Sequence, residues 1–171
     1  LTKYLGLHGV HVDVFTRSQD EHVPHVLHNL GCGNRVVHIP AGPETPRPKS
    51  ELLNYISEFS DNIINFADNK KIKYDLIFSH YWLSGLAALR LKEAWGVPVV
   101  HMFHTLALLK NQNAHSEKEI EGDYRIEGEK KVLSGIDRLI VATPDEKEKL
   151  ITLYSANSEI MEIIPPGVDL T

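Results

Sequence analysis

A doubly wound α/β domain with a mostly parallel sheet is predicted by three observations. Apolar, partly β-branched runs alternate with amphipathic helical patterns along the chain. The run 97–103 shows no polar alternation, as in strands covered on both faces. The 171 residues suit one such domain with a full-sized core.

Residues 1–8 read as the last turns of a helix stopped by Gly9. Residues 10–16 alternate at period two and read as a strand. Residues 17–33 are polar and irregular, and 35–39 form a short strand. Residues 40–48 hold four prolines and a glycine and read as a loop. Ser50 opens a long amphipathic helix, 51–69. A strand over 74–79 leads through His80 and Tyr81 into a helix ending near Trp95, whose Gly85, Ala87 and Ala88 suit close packing on a sheet. After the central strand, 97–103, come a short helix over 106–110 and a charged helix over 117–133. A strand over 138–142 precedes a helix over 145–154. Thr143 caps it, and Pro144 suits its first position. A last strand spans 159–164, closed by Pro165, Pro166 and Gly167. The architecture is Rossmann-like.

Composition excludes several classes. Hydrophobic content of 42% and charged content of 24% are those of an ordinary globular protein. A net charge of −5 argues against broad nucleic-acid binding. No apolar run approaches the roughly 20 residues that span a bilayer, and no signal peptide is seen. Cys32 is the single cysteine, which excludes an internal disulfide and fits a reducing cytoplasm. The chain starts at Leu1 inside a helix pattern and stops at Thr171 without a cap, so a piece of a longer protein is expected.

No G-x-G-x-x-G joins a strand to a helix, which disfavours nicotinamide chemistry. Neither a Walker loop nor a G-x-S-x-G elbow occurs. His22, His25 and His28 have the three-residue spacing of one helical face, but Pro24 interrupts them and no shell is completed, so no metal is assigned.

What remains gathers where ligands bind in open α/β sheets, beyond the carboxyl ends of the strands. Tyr81 follows one strand, and His104 and Thr105 follow the next. Thr105 can cap the following helix, whose first-turn amides attract anions. Lys49 starts a helix, and Arg125 lies one turn before Glu129, which can orient it. Lysine, arginine, phenol and threonine hydroxyl are the donors that a phosphate takes. Taken singly, Lys49 and Arg125 also read as solvated surface residues, Tyr81 and His104 as packing residues, and Thr105 as a cap.

The ordered motifs Ser79-His-Tyr-Trp-Leu-Ser-Gly85, His101-x-x-His-Thr-Leu-Ala107 with Lys110-Asn111, Arg125 with Glu129, and Pro166-Gly-Val-Asp169 resemble the retaining two-domain (GT-B) glycosyltransferases of family 4. Within them the chain is most similar to the mycothiol-pathway enzymes that transfer N-acetylglucosamine to inositol 1-phosphate, with sucrose-phosphate synthases as close relatives. The resemblance implies that residues 1–171 are the N-terminal, acceptor-side domain, truncated at both ends, with the donor-binding C-terminal domain absent. A strand and glycine-rich loop of the family would precede Leu1, so the fragment alone is expected to be inactive and poorly stable.

By position, Lys49, Tyr81, Thr105 and Arg125 match residues that hold the acceptor phosphate. His104 matches the histidine at the transferred sugar, and Lys110, with Glu129, falls among supporting residues. The implied partners are a nucleotide-sugar donor, a UDP-sugar by preference, and a phosphorylated acceptor such as inositol phosphate. No cofactor or metal is implied, the location is cytoplasmic, and a homo-oligomer is compatible. The rivals are transfer to fructose 6-phosphate, and a non-catalytic module that binds a phosphorylated metabolite.

Overall fold

The computed structural model describes residues 1–167, and the Val168–Asp169 part of the last motif lies outside them. The α/β alternation is present throughout, in two compact units, Leu1–Ile72 and Lys73–Thr171. The expected single sheet is two sheets among the described residues, one of three strands and one of four.

In the first unit, helix α1 (Thr2–Leu7) precedes strand β1 (Asp13–Arg17). The segment expected to be irregular contains a short strand, β2 (Val26–Leu27), antiparallel to β3 (Arg35–Ile39). Two residues are too few for a period-two pattern to register. Strand β1 runs parallel to β3, and Arg35 pairs in register with Asp13. Its guanidinium grips both oxygens of that carboxylate, at 2.6 and 2.8 Å.

The proline-rich loop is held at several points. Arg17 donates to the carbonyls of Ala41, Pro43 and Thr45, and Asn62 donates to Pro40 O at 2.9 Å. Gly42 sits at φ +62°, where a Cβ would enter the Tyr55 ring. Lys49 then opens helix α2 (Lys49–Leu52), a 3₁₀ turn follows, and α3 (Ile56–Lys70) completes the unit. The single long helix expected here is thus interrupted, and it ends on Lys71 in the left-handed conformation.

The second unit carries strands β4 (Ile77–His80), β5 (Val99–Met102), β6 (Arg138–Val141) and β7 (Met161–Ile163), all parallel in that spatial order. Val99, Phe103, Leu139, Val141 and Leu150 are buried to completion and form its core. Helix α4 (Trp82–Trp95) connects β4 to β5. The short α5 (Ala107–Gln112) is followed by a 3₁₀ turn, Glu117–Glu119, and by α6 (Asp123–Gly135). The predicted charged helix over 117–133 therefore starts six residues later, with Gly122 at its N-cap. Helix α7 (Pro144–Tyr154) is capped as expected: Thr143 Oγ1 accepts from Glu146 N at 3.1 Å.

Helices α4 and α6 meet through glycines. A Cβ on Gly85 would lie 2.7 Å from both Val132 methyl carbons and 3.0 Å from His101 Cε1. A Cβ on Gly128 would lie 2.6 Å from the Trp82 ring. This contact sets the position of the α6 face that bears Arg125, Gly128, Glu129 and Val132, all buried. Lys92 and Val99 N both donate to Asp137 Oδ2, which ties the end of α4 to the start of β5.

Gly85→Ala is expected to lower stability by about 1–3 kcal/mol through overpacking at this contact. Chemical denaturation of the variant beside the wild type checks it, and an unchanged midpoint would show that α4 and α6 can separate at no cost.

Candidate functional site

At the carboxyl ends of β4 and β5 the backbone is forced into unusual conformations. Tyr81 has φ +72° and ψ 150°, and His104 has φ +65°. Residues other than glycine are held there only by their surroundings, at roughly 1–3 kcal/mol each. Tyr81 N donates to Met102 O at 2.9 Å, which extends the β4–β5 pairing by one residue. The Tyr81 ring lies under the Arg125 guanidinium, 5.2 Å from centroid to Cζ, a cation–π contact.

His104 is exposed. Its Nε2 is 2.8 Å from His80 Nδ1, a separation at which one nitrogen must carry a proton and the other must not. The two rings stack with centroids 5.1 Å apart. Burial, and then the neighbouring His104, hold the His80 pKa below the ordinary histidine value. His101, one strand position inward, is fully buried and pairs with Ser79 Oγ at 2.7 Å. Burial, reinforced by His80 and His104, pushes it down to about 3, so it is a neutral core residue.

Thr105 does not cap α5. The N-cap is Leu106, and two of the first-turn amides expected to attract an anion, those of Ala107 and Leu108, already have partners. Ala107 N donates to both oxygens of Glu129, at 3.1 and 3.0 Å, and Leu108 N donates to the Tyr154 hydroxyl at 2.9 Å. A carboxylate from a neighbouring helix thus fills the place that a capping side chain or ligand would take. Thr105 instead faces Arg125, whose Nη2 donates to its carbonyl at 3.1 Å and to its Oγ1 at 3.0 Å.

Arg125 is 2% exposed. Its Nε donates to Glu129 Oε1 at 2.9 Å, and its Nη1 to Glu121 Oε1 at 2.5 Å. Burial alone would lower its pKa, but Glu129, Tyr81 and Glu121 outweigh burial and raise it, so the charge is kept. Glu129, with no exposure, also accepts a short hydrogen bond from the Tyr154 hydroxyl. Burial and this carboxylate push the Tyr154 phenol up, so it stays a donor. Lys110 donates to Glu121 Oε1, and Asn111 holds the Glu121 backbone on both sides, at 2.7 and 3.0 Å.

The second unit therefore brings together Tyr81, Thr105, Arg125, Glu129 and Lys110, with His104 beside His80 on the same strand ends. Lys49 is exposed at the start of α2 in the first unit. Sequence reasoning missed Tyr154, Glu121 and His80. The signal for Glu121 was its spacing, four residues before Arg125 and on the side opposite Glu129. The three loop histidines lie in turn, bend and irregular chain around β2, not on a helical face. His25 pairs with Glu44 at 2.8 Å. Among the described residues no group of three or more such side chains is placed to hold a metal ion.

The model for Glycosyltransferase Family 4 matches residues 1–171. The chain is 40% identical over 171 residues to a D-inositol 3-phosphate glycosyltransferase of Paenarthrobacter aurescens, covering 99% of this chain and 42% of that protein. It is 37% identical over 172 residues to the enzyme of the same name from Thermomonospora curvata, covering 100% and 40%. Among solved structures it is similar to sucrose-phosphate synthase from Thermosynechococcus elongatus, with a TM-score of 0.88 and 29% identity over 99% of this chain and 41% of that one. The chain thus spans about two-fifths of the length of the curated relatives it matches.

Two outcomes are expected. Tyr154→Phe leaves Glu129 short of a donor and Leu108 N short of an acceptor, which should cost about 1–3 kcal/mol in denaturant titrations. A smaller loss would mean that water replaces the phenol. His101 is neutral when folded, with a pKa of about 3, and ordinary when unfolded. Between these values the unfolded chain binds more protons, so His101 contributes stability in full above pH ~6.5 and loses it as pH falls towards 3. His101→Gln should flatten that part of the stability–pH curve, and an unchanged slope would assign it to other groups.

Proposed function

Because the chain belongs to Glycosyltransferase Family 4, we propose that it is the acceptor-side domain of a retaining glycosyltransferase. The reaction moves a sugar from a nucleotide-sugar, a UDP-sugar by preference, to a small phosphorylated acceptor. The observation that carries this reading is the Arg125–Thr105–Tyr81 cluster at the ends of adjacent parallel strands, a charged fork beside a hydroxyl and a phenol. Lys49, at the start of α2 in the first unit, is proposed as a phosphate contact from the family resemblance alone. The names of the relatives favour inositol phosphate as acceptor.

In the proposed mechanism the nucleoside diphosphate leaves from the face that the acceptor hydroxyl attacks, through an oxocarbenium-like transition state. A leaving-group oxygen takes the hydroxyl proton, so neither a protein base nor a cofactor beyond the donor is invoked. Catalysis then rests on positioning and on stabilising the leaving charge. The phosphate anchor uses a non-reacting part of the acceptor to align the reacting hydroxyl. His104 contacts the transferred sugar, with its tautomer set by His80 across 2.8 Å. Lys110 and Glu129 support the anchor. No helix among the described residues is long and apolar enough to cross a membrane, and the reading places the protein in the cytoplasm, with Cys32 unpaired.

A second reading, transfer to fructose 6-phosphate, is favoured by the likeness to sucrose-phosphate synthase. The two are separated by incubating the full-length protein with UDP-N-acetylglucosamine or UDP-glucose and each acceptor, and weighing the products. Absence of product beside saturable phosphate binding would favour a non-catalytic module. In the full-length protein, Arg125→Ala should lower transfer to phosphorylated acceptors by about 10- to 100-fold, with much less effect on donor hydrolysis. Equal losses in both assays would sink the anchor role.

A further inference from the structure

The donors of Arg125 are nearly all engaged. A guanidinium has five N–H groups. Nε points at Glu129, Nη2 serves the carbonyl and hydroxyl of Thr105, and Nη1 serves Glu121. The side chain is only 3% exposed, so an incoming anion must displace one of these partners.

The partners are not equivalent. Glu129 is sealed, with 0% exposure, and is held by Ala107 N and Tyr154 as well. The Thr105 carbonyl is backbone. The Glu121 carboxylate is 20% exposed, and the Oε1 that binds Arg125 also binds Lys110, itself 48% exposed. Glu121 lies outside both the Glu117–Glu119 turn and α6, yet Asn111 pins its backbone. Its side chain can therefore turn away without moving either element. An open cavity of about 410 Å³ lies alongside, lined by Lys110, Lys118 and Glu121 among others.

Charge decides what can take its place. Arg125 and Lys110 carry two positive charges, matched here by Glu121 and Glu129. A phosphate monoester carries about −1.5 to −2 at neutral pH and has three acceptor oxygens. It can serve both cations at once, with more charge than the carboxylate it replaces. A neutral hydroxylated acceptor offers no charge and leaves Glu121 seated.

We propose that Glu121 is a positioning residue, a resident carboxylate counter-ion on Arg125 and Lys110 that the phosphate of the acceptor replaces. It keeps both cations neutralised and in place while the site is empty and sets the affinity for phosphate, whereas uncharged sugars and cyclitols leave it seated. This rests on the reading of Arg125 as the phosphate anchor.

The test uses the full-length protein and titrates inorganic phosphate, inositol phosphate and unphosphorylated inositol by calorimetry. Glu121→Gln removes the competing charge. It should bind both phosphates about tenfold more tightly, leave inositol unchanged, and lose the gain when combined with Arg125→Ala. Phosphate binding equal to or weaker than that of the wild type overturns the proposal, as does a gain that survives Arg125→Ala. Should Glu121→Gln fail to fold, Glu121→Asp decides. It keeps the charge but is one methylene too short to bridge both cations, so it should gain in the same direction, and no gain overturns the idea. The single Arg125→Ala variant separates the two levels. Undiminished phosphate binding there removes the anchor and this inference together. Weakened binding there, with no gain in the Glu121 variants, removes this inference alone.

Discussion

A carboxylate sealed from water has to be satisfied by the protein itself, and Glu129 draws its donors from three helices. Ala107 N comes from the first turn of α5, the Arg125 guanidinium from α6, and the phenol from Tyr154 at the end of α7. Taking a carboxylate out of water costs several kcal/mol, and only such a set of donors offsets it. Removing one donor leaves a buried charge short of partners, which is dearer than never having buried it. The start of α5, the side chain of Arg125 and the end of α7 are therefore fixed relative to one another. Thr105 inherits the constraint through two hydrogen bonds from the same guanidinium.

The strand ends add a second constraint to the same place. Tyr81 and His104 close adjacent parallel strands in conformations disfavoured for residues with a side chain. Each is held by a specific contact: the Tyr81 ring under Arg125, and the His104 ring against His80. The Tyr81 contact links the strained turn to the Glu129 network, because the guanidinium that covers the ring is the one that Glu129 orients. A rigid sheet thus carries a set of polar groups whose directions are decided by one buried carboxylate.

How much of this was legible follows from what each feature looks like in one dimension. The parallel strands of the second unit were readable as short apolar, β-branched runs, as at Val99 and Val100, although β5 alternates buried and half-buried residues rather than being sealed on both faces as expected. The α7 cap was readable because Thr143, Pro144 and Glu146 carry a local code. The division into two sheets was not, because strand pairing is a long-range choice that the order of elements does not contain. Arg125 and Glu129 were visible as an i, i+4 pair, but a charged helix reads as a solvated one. Only the buried stripe of Arg125, Gly128, Glu129 and Val132 shows that the charges face inward. Thr105 was misread as a cap because a hydroxyl before a helix usually is one. A carboxylate 22 residues from the Ala107 amide took that role, and no local pattern could reveal it. Tyr154 was hidden for the same reason, being 25 residues from the group it serves.

The stripe on α6 also bears on why such a network exists. Positions that alternate by three and four along a helix are where a core takes leucine or valine, and Val132 sits on that same stripe. A buried ion pair rarely stabilises a fold more than apolar side chains of similar volume would. Arg125 and Glu129 are therefore poor investments as packing and good ones as orientation. A guanidinium free in solvent samples many rotamers, whereas one held at Nε by a sealed carboxylate presents its remaining edge in a single direction. That edge meets Thr105 on one side and Glu121 on the other. Of the two, Glu121 alone has a charge, a partly exposed carboxylate and a second cation sharing the same oxygen. The fixed inner carboxylate and the accessible outer one thus do opposite work on one arginine: the first sets its direction, and the second holds its place until a stronger anion arrives.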